Sequence, residues 1–134
     1  MSVIVTDSGF AADDWANGFC DAHGVANDVC ALDVPSSADP GEIALQPSLQ
    51  MIRVDFPSSG DGRGFTIARQ LRLRGFTGRL RARGQLISDQ YAMARRAGFD
   101  EVEISDDLAA RQPEAEWLYR ANWQEHDYQA RLRG

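Results

Sequence analysis

Asp61-Gly62-Arg63-Gly64 comes shortly after an apolar run that ends at Phe56. Gly60, Gly62 and Gly64 let a backbone come close to a ligand. A helix starting here presents unpaired N–H groups and a partial positive charge. Arg63 adds a bidentate fork suited to an oxyanion, and Arg81 or Arg83, one strand over, is placed to point the same way. The tetrapeptide is neither a Walker A loop nor a GxGxxG turn, so it suggests anion holding without naming a nucleotide. A plainer reading competes: a tight turn, Asp61 as helix N-cap, and Arg63 paired to Asp55 or Asp89.

The charges are segregated. Residues 1–52 carry eight acids and no base, residues 53–96 ten arginines against three acids, and residues 97–134 nine acids against four arginines. The overall charge of −6 hides a cationic middle, and there is no lysine in the chain. Arg79, Arg81 and Arg83 alternate with Leu80 and Ala82, so three guanidiniums share one strand face. They cannot lie against an apolar layer without partners. Either the strand is at an edge with the arginines solvated or salt-bridged, or they converge on acids or a bound anion. Asp89 and Gln90 open a helix at the same presumed edge, where an Asp also favours the helix dipole. No Ser/His/Asp or Cys/His nucleophile set is recognisable. The acidic flanks and the lack of an RNA or DNA motif argue against nucleic acid.

The elements that position these residues follow from period and punctuation. Val3–Val5, Val29–Val34, Met51–Phe56, Arg79–Arg83 and Val102–Ile104 read as strands. Phe65, Ile67, Ala68 and Leu71 recur at helical spacing, predicting a helix over 64–74 that stops at Gly75. Ser88 caps a second helix running to Ala97, with Ala92, Met93 and Ala97 inward and Gly98 as its stop. Residues 13–19 suit a helical turn or short helix. Asp106 or Asp107 starts another helix, interrupted near Pro113, and the aromatic tail from Glu114 is partly helical. It suits core packing or a protein interface.

The alternating order predicts a single α/β domain over residues 1–134, with a mostly parallel sheet flanked by helices. A three-layer sandwich and a partial β/α barrel both fit. Ligands of such sheets gather beyond the strand carboxyl ends. The segments Pro57–Arg63, Gly84–Gln90 and Ser105–Asp107 reach that edge.

Composition sets the remaining bounds. No apolar run approaches the roughly 20 residues that span a bilayer. The opening residues lack a basic n-region and a long h-region, so the chain reads as cytoplasmic. Cys20 and Cys30 have no metal-like spacing and are expected to be buried thiols rather than a disulfide. His23 and His126 join no Cys/His cluster, which leaves zinc without support.

The run Asp61-Gly62-Arg63-Gly64, Leu71-Arg72, Gly78-Arg79-Leu80-Arg81-Ala82-Arg83-Gly84, Asp89-Gln90 and Arg96-Ala97-Gly98-Phe99-Asp100 resembles a proteobacterial family, domain of unknown function nine hundred and thirty-four. The match is best over residues 51–104 and extends to the Tyr128-Gln129 ending. Members are often labelled oxidoreductases, and their genes commonly neighbour those of assimilatory sulfite reductase and adenylyl-sulfate reduction. The resemblance carries over Asp61, Gly62, Arg63, Arg81, Gly84, Asp89 and Gln90 as family-typical positions without assigning them roles. It implies an accessory of sulfate or sulfite reduction, binding an oxyanion or the acidic surface of sulfite reductase or another sulfur-assimilation protein. The alternatives are a stand-alone oxidoreductase using a diffusible cofactor and a non-catalytic interaction module; a homodimer also stays open. No flavin, nicotinamide or iron–sulfur signature is present, so the cofactor is unknown. Two departures stand out: Ser58-Ser59-Gly60 replaces an aromatic before the Asp-Gly-Arg, and Ala97 replaces a Cys before Gly98-Phe99-Asp100.

Overall fold

The computed structural model describes residues 2–21 and 30–123. His23, His126 and the Tyr128-Gln129 ending lie outside them. Seven strands form one sheet: β1 Ser2–Thr6, β2 Gly9–Ala11, β3 Cys20–Asp21, β4 Ala31–Val34, β5 Met51–Phe56, β6 Arg79–Gly84 and β7 Glu101–Ser105. Their spatial order is β2-β1-β7-β6-β5-β4-β3. Strands β3 to β7 pair in parallel, and β1 joins β7 and β2 antiparallel. The expected α/β domain with a mostly parallel sheet is therefore the observed one.

The helices are α1 Arg63–Leu73, α2 Tyr91–Ala97, α3 Asp106–Arg111 and α4 Glu114–Tyr119. Strand order β7-β6-β5 places each right-handed crossover on the same side of the sheet. Accordingly, Ile67, Ala68 and Leu71 of α1, Ala94 of α2, Leu108 of α3 and Trp117 of α4 share one core with Ile52, Val54, Phe56, Leu80, Val102 and Ile104. Burying a side chain such as Leu71 completely stabilises by about 1.5–3 kcal/mol. Among the described residues the helices cover one face only. The sheet is open, with β2 and β3 as its edges.

Period-2 alternation sends the other residues of the same strands to the opposite face, which is charged. Asp33 on β4, Arg53 on β5, Arg79, Arg81 and Arg83 on β6, and Glu101 and Glu103 on β7 all lie there. This face is crossed by residues 12–19, which connect β2 to β3. That segment contains no helix, contrary to the expectation for 13–19. The reason is distance. β2 and β3 sit at opposite ends of the sheet, six strand spacings of about 4.8 Å apart. A helix rising about 1.5 Å per residue falls far short, whereas an extended chain at about 3.3 Å per residue bridges the gap if the sheet curves beneath it.

Other boundaries also shifted. Gly62, not Asp61, is the N-cap of α1, and Asp61 Oδ1 accepts from the Arg63 backbone N–H at 3.1 Å. Helix α2 begins at Tyr91 after a 3-10 turn over Ser88–Gln90, and its inward residues are Tyr91, Ala94 and Ala97. Met93 is exposed. Tyr91 sets that frame: its ring packs edge-on against Trp117 and its hydroxyl donates to Asp7 at 2.5 Å. Cys20 is exposed rather than buried, Cys30 is half-buried, and both are free thiols. No described helix is long and apolar enough to cross a membrane.

Candidate functional site

Arg53, Arg79 and Arg81 of the charged face are neutralised by the acidic flanks of the chain. Arg81 is fully buried. Its Nε donates to Glu101 Oε2 at 2.6 Å, Nη1 to Glu103 Oε1 at 2.9 Å and Nη2 to Asp13 Oδ1 at 3.1 Å. Arg79 pairs with Asp14 at 2.8 Å and Glu101 at 2.7 Å. Arg53 pairs with Asp33 at 2.6 Å and Glu103 at 3.1 Å, and the Phe19 ring stacks on its guanidinium at 3.7 Å. Burial works against the charge of Arg81, yet the hydrogen bond to Asp13 and the glutamates beside it hold its pKa above the ordinary value. Buried charges survive only when paired this completely, which explains why a cationic middle needs two acidic flanks. Strand β6 is central, so the edge-strand reading of Arg79, Arg81 and Arg83 does not hold.

Arg63 and Arg81 do not converge. Arg63 is the first residue of α1, where Nη2 donates to Asp61 Oδ2 at 2.7 Å and to Ser36 Oγ at 3.0 Å. The hydrogen bond from the Arg63 guanidinium, followed by that from its backbone N–H, drops the Asp61 carboxyl well below the usual range. Asp61 thus occupies the α1 N-terminus, the expected anion seat. Gly64 gives room to the Phe56 ring, which a Cβ there would strike, rather than to a ligand. Asp89 pairs with Arg120 at 2.8 Å. Gln90 latches two loops: its Nε2 donates to Ser59 O at 2.7 Å, and its Oε1 accepts from the Ile87 N–H at 3.0 Å.

At the strand carboxyl ends three hollows adjoin. The first, about 510 Å³, is lined by Ser2, Asp55, Phe56, Pro57, Arg83, Gly84, Gln85, Glu103, Ile104 and Ser105. The second, about 540 Å³, shares Pro57 and Gln85 with it and adds Ser58, Ser59, Ile87, Leu108, Arg111 and Gln112. The third, about 600 Å³, shares Ile87, Arg111 and Gln112 and continues to Asp89, Glu116, Tyr119 and Arg120. All three segments expected at this edge therefore border one continuous groove. Gly84 lines it and Gln90 braces its walls.

Two arginines in this groove keep uncommitted charge. Arg111 makes no ion pair among the described residues. Arg83 is about half exposed and, among the described residues, pairs with Glu103 alone, at 3.4 Å. Arg111, Gln85 and Gln112 were not singled out from sequence. Arg111 sits at the end of a short helix and meets the groove only because α3 folds over the loops that follow β5 and β6. The Glu101/Glu103 partners of β6 did have a signal: their alternation mirrors that of Arg79, Arg81 and Arg83. Among the described residues no group of three or more His, Cys, Asp or Glu side chains is placed to hold a metal ion.

Residues 31–134 match the family described as bacterial protein of unknown function (DUF934). The chain belongs to that family. No curated protein and no solved structure matches the DUF934 chain. Its matched region contains β4 to β7, all four helices and every residue of the groove except Ser2.

Proposed function

We propose that this protein binds a small oxyanion or an acidic partner segment in the groove along the carboxyl ends of β5, β6 and β7. In this reading it is a cytoplasmic accessory to assimilatory sulfate or sulfite reduction. The observation that carries the binding role is the uncommitted guanidinium of Arg111, in the middle of the groove, with Arg83 toward one end. The first hollow also holds Asp55 and Glu103, so the acid-poor stretch around Arg111, Ser58 and Ser59 is where negative charge settles. Position supports this, since parallel α/β sheets take ligands beyond their strand carboxyl ends. The pathway rests on the resemblance of the motifs in residues 51–104 to a family whose genes neighbour those of sulfite reductase.

The test is calorimetric titration with sulfite, sulfate, phosphate and adenylyl sulfate, for the native protein and for Arg111→Ala and Arg83→Ala. Binding that weakens about tenfold in Arg111→Ala supports the groove. Affinities that are unchanged in both variants reject it.

A second reading, a protein-interaction module, is favoured by Leu118 and Tyr119. Both are exposed on α4, and Tyr119 borders the third hollow. Co-purification of a partner that persists in Arg111→Ala but is lost in Tyr119→Ala would favour this reading.

A further inference from the structure

Residues 12–19 are held by ion pairs and by a ring-on-guanidinium contact. No residue from Ala11 to Cys20 is buried. Nevertheless the segment completes the enclosure of Arg81, whose guanidinium has no exposed surface. Among the described residues three arginines secure it: Asp13 reaches Arg81 at 3.1 Å, Asp14 reaches Arg79 at 2.8 Å and Arg81 more loosely at 3.9 Å, and the Phe19 ring lies on Arg53 at 3.7 Å. The Asp14 side chain is largely exposed. A cover with a hydrophobic anchor would resist salt. This one has ion pairs, which weaken as the Debye length shrinks from about 10 Å at 0.1 M salt to about 3 Å at 1 M.

We propose that residues 12–19 are a displaceable strap, and that the surface beneath it is a docking site for an extended acidic segment of another chain. Asp13 and Asp14 show the chemistry that fits: two neighbouring carboxylates, one on Arg81 and one on Arg79, with an aromatic ring for Arg53. Arg81 keeps Glu101 and Glu103 when the strap leaves, so the buried charge is not abandoned. Arg81 exchanges only its contacts with the strap carboxylates for equivalent ones. The site uses Arg79 and Arg81, neither of which lines the groove of the proposed function. The two readings therefore stand or fall separately.

The probe is a synthetic peptide with the sequence of residues 11–19, titrated into the native protein and into Asp13→Asn/Asp14→Asn. The peptide is expected to bind the double variant at least tenfold more tightly than the native protein, whose own strap competes. A peptide with Asn at both Asp positions is expected to bind neither. Equal affinity for the two proteins, or no binding to a double variant whose circular dichroism is native, overturns the proposal. A second measurement needs no variant. Phenylglyoxal modification of Arg81, read by mass spectrometry, is expected to speed up several-fold between 0.1 and 1 M sodium chloride as the strap loosens. Exposed Arg69 serves as the internal control. An Arg81 rate that does not rise relative to Arg69 overturns the strap even if the double variant does not fold.

Discussion

Arg81 Nη1 donates to Glu103 Oε1 at 2.9 Å, although the residue facing Arg81 in register on β7 is Glu101. One guanidinium thus bridges two glutamates of the next strand. The same Glu103 oxygen also accepts from Arg53 at 3.1 Å, two strands away. The network is shared, so removing one member strands others in a buried setting. Arg81→Met is expected to destabilise the fold by about 3–5 kcal/mol, because Glu101 and Glu103 lose a common partner. The check is a urea titration, with a lower midpoint at an unchanged slope.

The groove arginines should behave in the opposite way. Arg111→Ala removes a side chain with no ion pair among the described residues and is expected to shift stability by less than about 0.5 kcal/mol. The same urea titration run beside Arg81→Met separates the two classes. A large loss for Arg111→Ala would mean that its role is structural.

Gly84 ends β6 with φ at 125°, where an L side chain is strained. A Cβ there would also run into the Phe56 carbonyl oxygen, which accepts from the Gln85 N–H at 2.9 Å. Gly84→Ala is expected to cost at least about 2 kcal/mol. It should also distort the junction of the first two hollows, because Gln85 follows directly. Thermal melting measures the first effect, and the anion titration measures the second.

Acid should release the strap. Burial raises the Asp13 carboxyl, but the hydrogen bonds from Arg81 and the Trp15 N–H outweigh it, and the result lies below the ordinary 3.8. The hydrogen bond from Arg79 lowers Asp14 in the same direction. A carboxyl depressed in the folded state contributes stability that is present above its unfolded value and lost as pH falls through its folded value. Melting temperature is therefore expected to be insensitive to Asp13 and Asp14 from pH 5 to 8 and to drop below about pH 4. In Asp13→Asn/Asp14→Asn the acid drop should be smaller. Identical acid profiles for the variant and the native protein would contradict the assignment.

The middle of the chain was readable because its signals are local. Met51–Phe56 and Arg79–Gly84 alternate cleanly, Gly75 and Gly98 stop their helices, and Pro57, Gly84 and Ser105 mark where strands give way to the ligand edge. The misread parts depend on distant residues. Residues 13–19 have the composition of a helical turn, but they must span a sheet whose strand order no local pattern reveals. Met93 looks apolar enough for the core, yet Tyr91 claims the inward position through Trp117 and Asp7. The fate of the arginines was the hardest to read. Whether Arg81 meets solvent, anion or carboxylate is decided by Asp13, sixty-eight positions earlier, and Glu103, twenty-two positions later. The groove was legible as a location but not in its residues, since Arg111 enters it only through tertiary folding.

The interlocking of early and late acids around a single central guanidinium also bears on biogenesis. As the polypeptide leaves the ribosome, β5 and β6 emerge ahead of both glutamates of β7. The inner strands then have no means of closing their polar side, and collapse onto α1 would trap a bare cation. Productive assembly is thereby postponed until almost the whole chain has been made. Truncation upstream of Glu101 should yield a species that chaperones retain rather than a smaller folded protein.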